Sequence, residues 1–311
     1  MLNYKYKIKL KEEIMKIIKL MCLCLSFILG ITVLGGCGTG NNNSTSDSTK
    51  TPSSEKDDQN KPLPSDKIYS VLFIGNSYTK RYNMATEIFL PMAQATGYIL
   101  NVKAIVNSGY TLESYADPND ACGALVAKEL SEENYGKYDF VVLQEQSLRP
   151  ITETAKFYDG VRALSQKIKA IGATPLLFST WGRKTGSADL VNLKMTNESM
   201  TWHLAAIYNA IAEELDIPIA FVGLAFYDIY TNYPSIDIYD DDLYHPVYKG
   251  SFLAAATILA EMFNVDPSEI DFDGTLSYET AKTLRQAAYR AVFNTPEIPA
   301  EYITSSEGIT G

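Results

Sequence analysis

A chain of 311 residues with 46% hydrophobic and 21% charged side chains is long enough to bury a sizeable core, and globular is its default class. Its formal charge is -10, and because the first 36 residues hold six lysines against two glutamates, the remainder carries -14. A body this acidic repels phosphate backbones and anionic headgroups, which argues against nucleic acid as a partner and against a membrane bound through surface charge.

The first element is an export signal. Residues 16–37 read KIIKLMCLCLSFILGITVLGGC, a basic start followed by an apolar stretch over 20–34 that is short for a membrane span. Its end, Leu34-Gly35-Gly36-Cys37, resembles a bacterial lipobox, which implies cleavage at 36 and lipidation of Cys37. Met15 opens such a signal by itself, so 1–14 reads as an over-extended start. Residues 38–66, rich in Ser, Asn, Asp, Lys and Pro, have too few large apolar side chains to fold and read as a disordered tether. The expected organisation is a signal over 1–36, lipidated Cys37 and tether over 37–66, and one domain over 67–311.

Within that domain, apolar runs at 69–74, 100–106, 140–143, 175–178 and 217–222 are expected strands. Segments of helical period at 84–96, 121–130, 155–171, 202–215, 248–263 and 278–293 separate and follow them. Near-continuous apolar strands between amphipathic helices predict an α/β fold, a parallel sheet covered on both faces as a three-layer α/β/α sandwich. Cys122 is the sole cysteine of this body, so no internal disulfide is expected there. With two histidines in the chain, no metal site and no cofactor are expected either.

The first strand runs into Gly75-Asn76-Ser77, and in open parallel sheets ligands sit beyond the carboxyl ends of the strands. Ser77 is therefore a candidate nucleophile, although Gly-Asn-Ser is also ordinary turn and capping chemistry. Near the other end stands Asp242-Leu-Tyr-His245. A serine nucleophile needs a base within hydrogen-bond reach and a carboxylate to orient that base, and an Asp three residues before a His can supply both. His203, on a predicted helix, is the competing base. After the fourth strand, Trp181 and Arg183 could either line a substrate site or pack a loop.

These blocks together resemble the SGNH hydrolases, also called GDSL esterases. The Ser block is Gly75-Asn-Ser77-Tyr-Thr, the Gly block Asn107-Ser-Gly109-Tyr, and the last block Asp242-Leu-Tyr-His245. Where the family usually has Gly-x-Asn-Asp, this chain reads Gln144-Glu-Gln146-Ser147, similar to the form seen in carbohydrate acetylesterases. The resemblance implies a flavodoxin-like five-stranded sheet, a Ser77-His245-Asp242 triad, and an oxyanion hole from the Ser77 and Gly109 N–H groups with the Gln144 amide, Gln146 being the alternative. It implies a serine esterase acting on a small-molecule or polysaccharide ester, held outside the cytoplasm of a bacterium and touching the membrane through its lipid anchor alone. A lipase or lysophospholipase, and a catalytically silent carbohydrate-binding lipoprotein, are the rival readings. The α/β-hydrolase fold shares the Ser, Asp, His order, but its Gly-x-Ser-x-Gly elbow is missing from the sequence.

Overall fold

The apolar run after Asp66 forms a strand whose side chains enter two layers alternately. In the computed structural model, which describes residues 67–303, β1 (Ile68–Gly75) sends Val71 and Phe73 to one face and Leu72 and Ile74 to the other, all four fully buried. The export segment, Cys37 and the tether lie outside the described residues, as do 304–311. Strands β2 (Ile99–Val106), β3 (Phe140–Leu143), β4 (Thr174–Phe178) and β5 (Ile219–Ala220) join β1 in the order β2-β1-β3-β4-β5, every pair parallel. This is the flavodoxin-type order, with its switch point between β1 and β3.

Parallel neighbours need crossovers, and the crossovers supply the outer layers. After β1 comes α1 (Ser77–Lys80), then a turn and helical Met84–Phe89 leading into α2 (Leu90–Ala95). Behind β2 follow α3 (Leu112–Ala116) and α4 (Ala121–Glu129); behind β3, α5 (Arg149–Thr152) and α6 (Thr154–Ala170); behind β4, α7 (Ala188–Asn192) and α8 (Asn197–Leu215). The chain continues through α9 (Val222–Asn232), α10 (Tyr248–Phe263), α11 (Tyr278–Phe293) and the short α12 (Ala300–Ile303). Phe226, Phe252, Leu259 and Leu284 pack on the Val71 and Phe73 face, while Phe157, Leu164, Leu204 and Ile207 pack on the Leu72 and Ile74 face. Each such fully buried side chain stabilises by roughly 1.5–3 kcal/mol. The two apolar layers thus hold the sheet and leave its carboxyl edge free for polar work.

Two departures from expectation have local causes. The fifth strand keeps two ladder residues because Pro218 has no N–H to donate and the chain turns into α9 at Val222. The helix expected over 84–96 forms, but its first six residues, Met84–Phe89, are π-helical and are entered through Tyr82 (φ 55°) and Asn83 (φ 46°). Left-handed residues of this kind cost on the order of 1–3 kcal/mol each, offset here by complete burial of Met84, Ile88 and Phe89. Among the described residues no helix is long and apolar enough to cross a membrane.

Candidate active site

The ends of three strands come level at the switch point: Gly75 pairs with Val106 of β2, and Ile74 with Leu143 of β3. Gly75 sits so close to the next strand that a Cβ there would stand 2.7 Å from both Gln144 Oε1 and Thr79 Oγ1. Asn76 then caps α1, its Oδ1 accepting from the Tyr78 N–H at 3.3 Å and from Gln144 Nε2 at 2.8 Å, while its Nδ2 donates to Tyr110 O at 3.0 Å. Ser77 is therefore the first residue of a short helix held rigidly from three sides. Its N–H precedes any intrahelical acceptor and is left for a ligand.

The base arrives from a loop that closes on itself. Tyr239 and Pro246 form an antiparallel bridge, Asp240 N–H donates to His245 O at 2.8 Å, and Leu243 takes φ 69° to complete the turn. This geometry puts His245 Nε2 at 2.8 Å from Ser77 Oγ and His245 Nδ1 at 2.6 Å from Asp242 Oδ2. Asp242 Oδ1 in turn accepts from the backbone N–H groups of Tyr244 (3.2 Å) and His245 (2.9 Å). With Nδ1–H donating to Asp242, Nε2 is the free acceptor for the serine proton. Burial alone would push the Asp242 carboxyl up, but the His245 backbone and ring and the Tyr244 N–H outweigh it and hold the group below the usual carboxylate range. His245 is 14% exposed and lies against the Tyr244 ring at 4.2 Å and the edge of Tyr78 at 5.7 Å.

His203 does not take part. Its Nδ1 lies 2.7 Å from Ser199 O on its own helix, its ring meets Tyr302, and it does not line the cavity at Ser77.

That cavity holds about 770 Å³. Ser77, His245, Gly109 and Gln146 all line it, and no Leu, Ile, Val, Met or Phe side chain does. Gly109 has φ +75° and open space where a Cβ would be, so its backbone faces the cavity bare. Of the two glutamines, Gln144 departs from expectation: it is 0% exposed and does not reach the cavity. Its Oε1 accepts from the Asn76 N–H (2.9 Å) and Thr79 Oγ1 (3.0 Å), and its Nε2 donates to Asn76 Oδ1 and Glu145 O, so the amide is spent on tying β3 to the serine turn. Gln146 lines the cavity instead. Its Oε1 accepts from the Leu148 and Arg149 N–H groups at 2.9 and 3.0 Å, which leaves Nε2 as the end free to donate.

Trp181 is fully buried, stacked between Tyr78 (4.2 Å) and Phe226 (3.8 Å), and has no access to substrate. Arg183 does line the cavity, with Nε on Asp189 Oδ2 at 2.8 Å, Nη1 on the Tyr78 hydroxyl and Nη2 on Ser147 Oγ at 2.9 Å. Sequence reasoning left Arg183 open between lining and packing, and missed Asn76 and also Arg81, which lines the cavity and pairs with Asp240. An Arg four residues after a candidate nucleophile was the available signal for the last.

A serine, a histidine and an aspartate in hydrogen-bond series, at the switch point of a flavodoxin-type sheet and beside an open cavity, define a serine hydrolase. Neither a protein-family model nor a curated protein matches this sequence. Solved structures do match. A Slackia heliotrinireducens protein provisionally described as an SGNH hydrolase is 29% identical, with a TM-score of 0.54 over 63% of this chain and 100% of that one. A DUF4886 family protein from Bacteroides uniformis shares the fold at a TM-score of 0.61 and 18% identity, over 75% of this chain and 98% of its own. An acetyl xylan esterase from Geobacillus stearothermophilus (18% identity, TM-score 0.44, 63% of this chain and 94% of that one) is too distant in shape to carry an inference. On its sheet order, the disposition of its Ser, Gly and Asp-x-x-His blocks and the first of these likenesses, the chain has the fold of the SGNH (GDSL-like) hydrolases and is similar to them.

Proposed function

We propose that this protein is a serine esterase that removes short acyl groups, acetyl foremost, from a hydroxyl-rich alcohol such as a carbohydrate. The observation that carries the reading is the unbroken series Ser77 Oγ, His245 Nε2, His245 Nδ1, Asp242 Oδ2, with contacts of 2.8 and 2.6 Å, opening on the cavity. His245 takes the Ser77 proton as Oγ bonds to the ester carbonyl carbon, and the carbonyl electrons move onto oxygen. The Ser77 and Gly109 N–H groups and Gln146 Nε2 are the donors for that oxyanion. Collapse expels the alcohol oxygen, which takes the proton from His245. Water, deprotonated by the same His245, then attacks the acyl-enzyme, and the acid leaves with Ser77 reprotonated.

The lining supports a short acyl group on a polar alcohol, because Ser77, Ser108, Gln146 and Arg183 alternate with the Tyr78 and Tyr244 rings and no aliphatic side chain lines the cavity to take a long chain. It counts against the lipase reading. The aligned Ser, His and Asp count against a silent binder, which has no use for a base at 2.8 Å from a hydroxyl.

Hydrolysis of p-nitrophenyl acetate, butyrate and octanoate by the purified full-length protein tests this. Acetate is expected to be turned over best, and Ser77→Ala or His245→Ala to lose on the order of 10⁴-fold or more in kcat. Undiminished turnover in either variant, or turnover that climbs with acyl length, refutes it. The extracytoplasmic placement rests on the basic and apolar segment before Leu34-Gly-Gly-Cys37. Fatty-acid labelling of cells should tag the protein and disappear in Cys37→Ser.

A further inference from the structure

Glu145 has no part in the chemistry just described. It is 0% exposed and, among the described residues, forms no ion pair. A carboxylate buried without a direct ion pair is costly to a fold, and a methionine would fill the same space without that charge. What the carboxylate does is bind main chain on both sides of it. Both oxygens lie 3.2 Å from the Leu112 N–H, and Oε1 accepts from the Gln146 N–H at 2.6 Å.

Those two N–H groups belong to the two arms that carry oxyanion donors. Leu112 opens α3 immediately after the Asn107–Tyr110 turn, closed by the Tyr110 N–H on Asn107 O at 3.2 Å, which presents Gly109. Gln146 is the cavity amide itself. The strands cannot fix this spacing: β2 and β3 are not neighbours, since β1 lies between them, and each arm begins after its strand has ended. Parity aims Glu145 correctly. It leaves β3 on the same face as Val141 and Leu143, the face on which Leu112 is buried, while Gln144 leaves on the opposite face toward Thr79.

We infer that Glu145 is a positioning residue, a carboxylate brace that holds the Gly109 turn at a fixed distance from the Gln146 arm so that their donors converge on one substrate oxygen. This rests on the oxyanion roles proposed for those two residues.

The groups facing Glu145 are Glu113 of α3, Arg149 of α5 and Tyr208 of α8. Burial pushes its carboxyl up to about 7, against the lowering pull of the Gln146 and Leu112 N–H groups and of Arg149. The sign follows from the raised value: stability is whole below the ordinary carboxylate value of 4.5, is lost as pH rises from there to about 7, and stays lost above it, so a neutral replacement spares the fold at pH 8 while it weakens the brace.

Glu145→Gln tests the inference in the full-length protein. Turnover of p-nitrophenyl acetate is expected to fall about 10- to 100-fold in kcat with KM little changed, as for displaced donors. The Tm at pH 8 should be equal to or higher than that of the parent. The acid limb of kcat/KM should be steeper in the parent, where the raised Glu145 carboxyl takes up a proton, than in the variant, where it cannot. In amide spectra, which need no activity, residues 107–112 and 145–149 should shift in the variant while β1 does not. An unmoved Leu112 amide, or a lowered Tm with unchanged kcat and an unchanged acid limb, overturns the brace. A parent inactive on every ester, or a Ser77→Ala variant as active as the parent, would instead remove the esterase reading, and the amide spectra would still decide whether the two arms are joined through Glu145.

Discussion

Arg81 and Asp240 are ion-paired across the mouth of the site, joining the turn that carries the nucleophile to the loop that carries its base. The Arg81 N–H also donates to Ser77 O, and its second guanidinium nitrogen stands 3.6 Å from Asp242 Oδ2. One residue thus touches the nucleophile through its backbone and the acid loop through its side chain. The side chains are 32% and 35% exposed, so the pair adds little to global stability. Arg81→Met and Asp240→Asn should each lower kcat about 10-fold through a misplaced His245 while the melting curve stays put, as steady-state kinetics beside a thermal melt will show. A rise in KM alone would mean that Arg81 binds substrate instead.

The two glutamines should separate cleanly. Gln146→Ala is expected to cost about 10²- to 10³-fold in kcat with the fold intact, the usual cost of one oxyanion donor. Gln144→Ala leaves the Asn76 N–H and the Thr79 hydroxyl buried without their acceptor, a loss of about 1–3 kcal/mol for each. It should show first as a lowered Tm. Denaturant melts and kinetics on the same samples check both.

Gly75→Ala and Gly109→Ala should fail for different reasons. At Gly75 the new methyl would meet the Gln144 and Thr79 side chains at 2.7 Å and displace the amide that ties β3 to the serine turn, lowering stability and activity together. At Gly109 there is room, but φ is +75°, so the cost is about 1 kcal/mol of backbone strain. Activity should fall further there than stability, because the turn that presents the N–H is what relaxes.

Glu129 predicts an acid-side loss of stability remote from the site. Burial pushes its carboxyl up, but Lys103 at 2.6 Å, Lys137 at 2.7 Å and the Tyr138 hydroxyl outweigh it and bring it down to about 2. A depressed carboxylate contributes stability above its unfolded value of about 4.5, and that contribution drains away as pH falls toward about 2. Glu129→Gln should therefore lower the Tm at pH 7 and converge with the parent near pH 2 to 3. Each kcal/mol lost moves the Tm of a domain this size by roughly 2–4 °C.

The sheet was legible because β1, β3 and β4 are buried on both faces and so read as continuous apolar runs. The missing helix α9 shows the limit of that signal: its first residue ends the apolar run 217–222, and periodicity cannot separate a short buried strand from the start of a buried helix. Ser77, Asp242 and His245 could be picked out by residue type and spacing. Gln144 and Gln146 could not be ranked that way. β3 ends at Leu143, and what disqualifies Gln144 is that Asn76 and Thr79, 68 and 65 residues away, consume its amide. Trp181 fails for a similar reason, being claimed by Tyr78 and Phe226 from distant elements.

The contact between Ser77 and His245 spans 168 residues, from the end of the first strand to the loop before α10. No early portion of the chain can hold both groups. A polypeptide that has made β1 to β4 has its nucleophile seated but nothing to deprotonate it, and stays inert until the closing loop docks. Turnover is therefore a stringent gauge of complete folding.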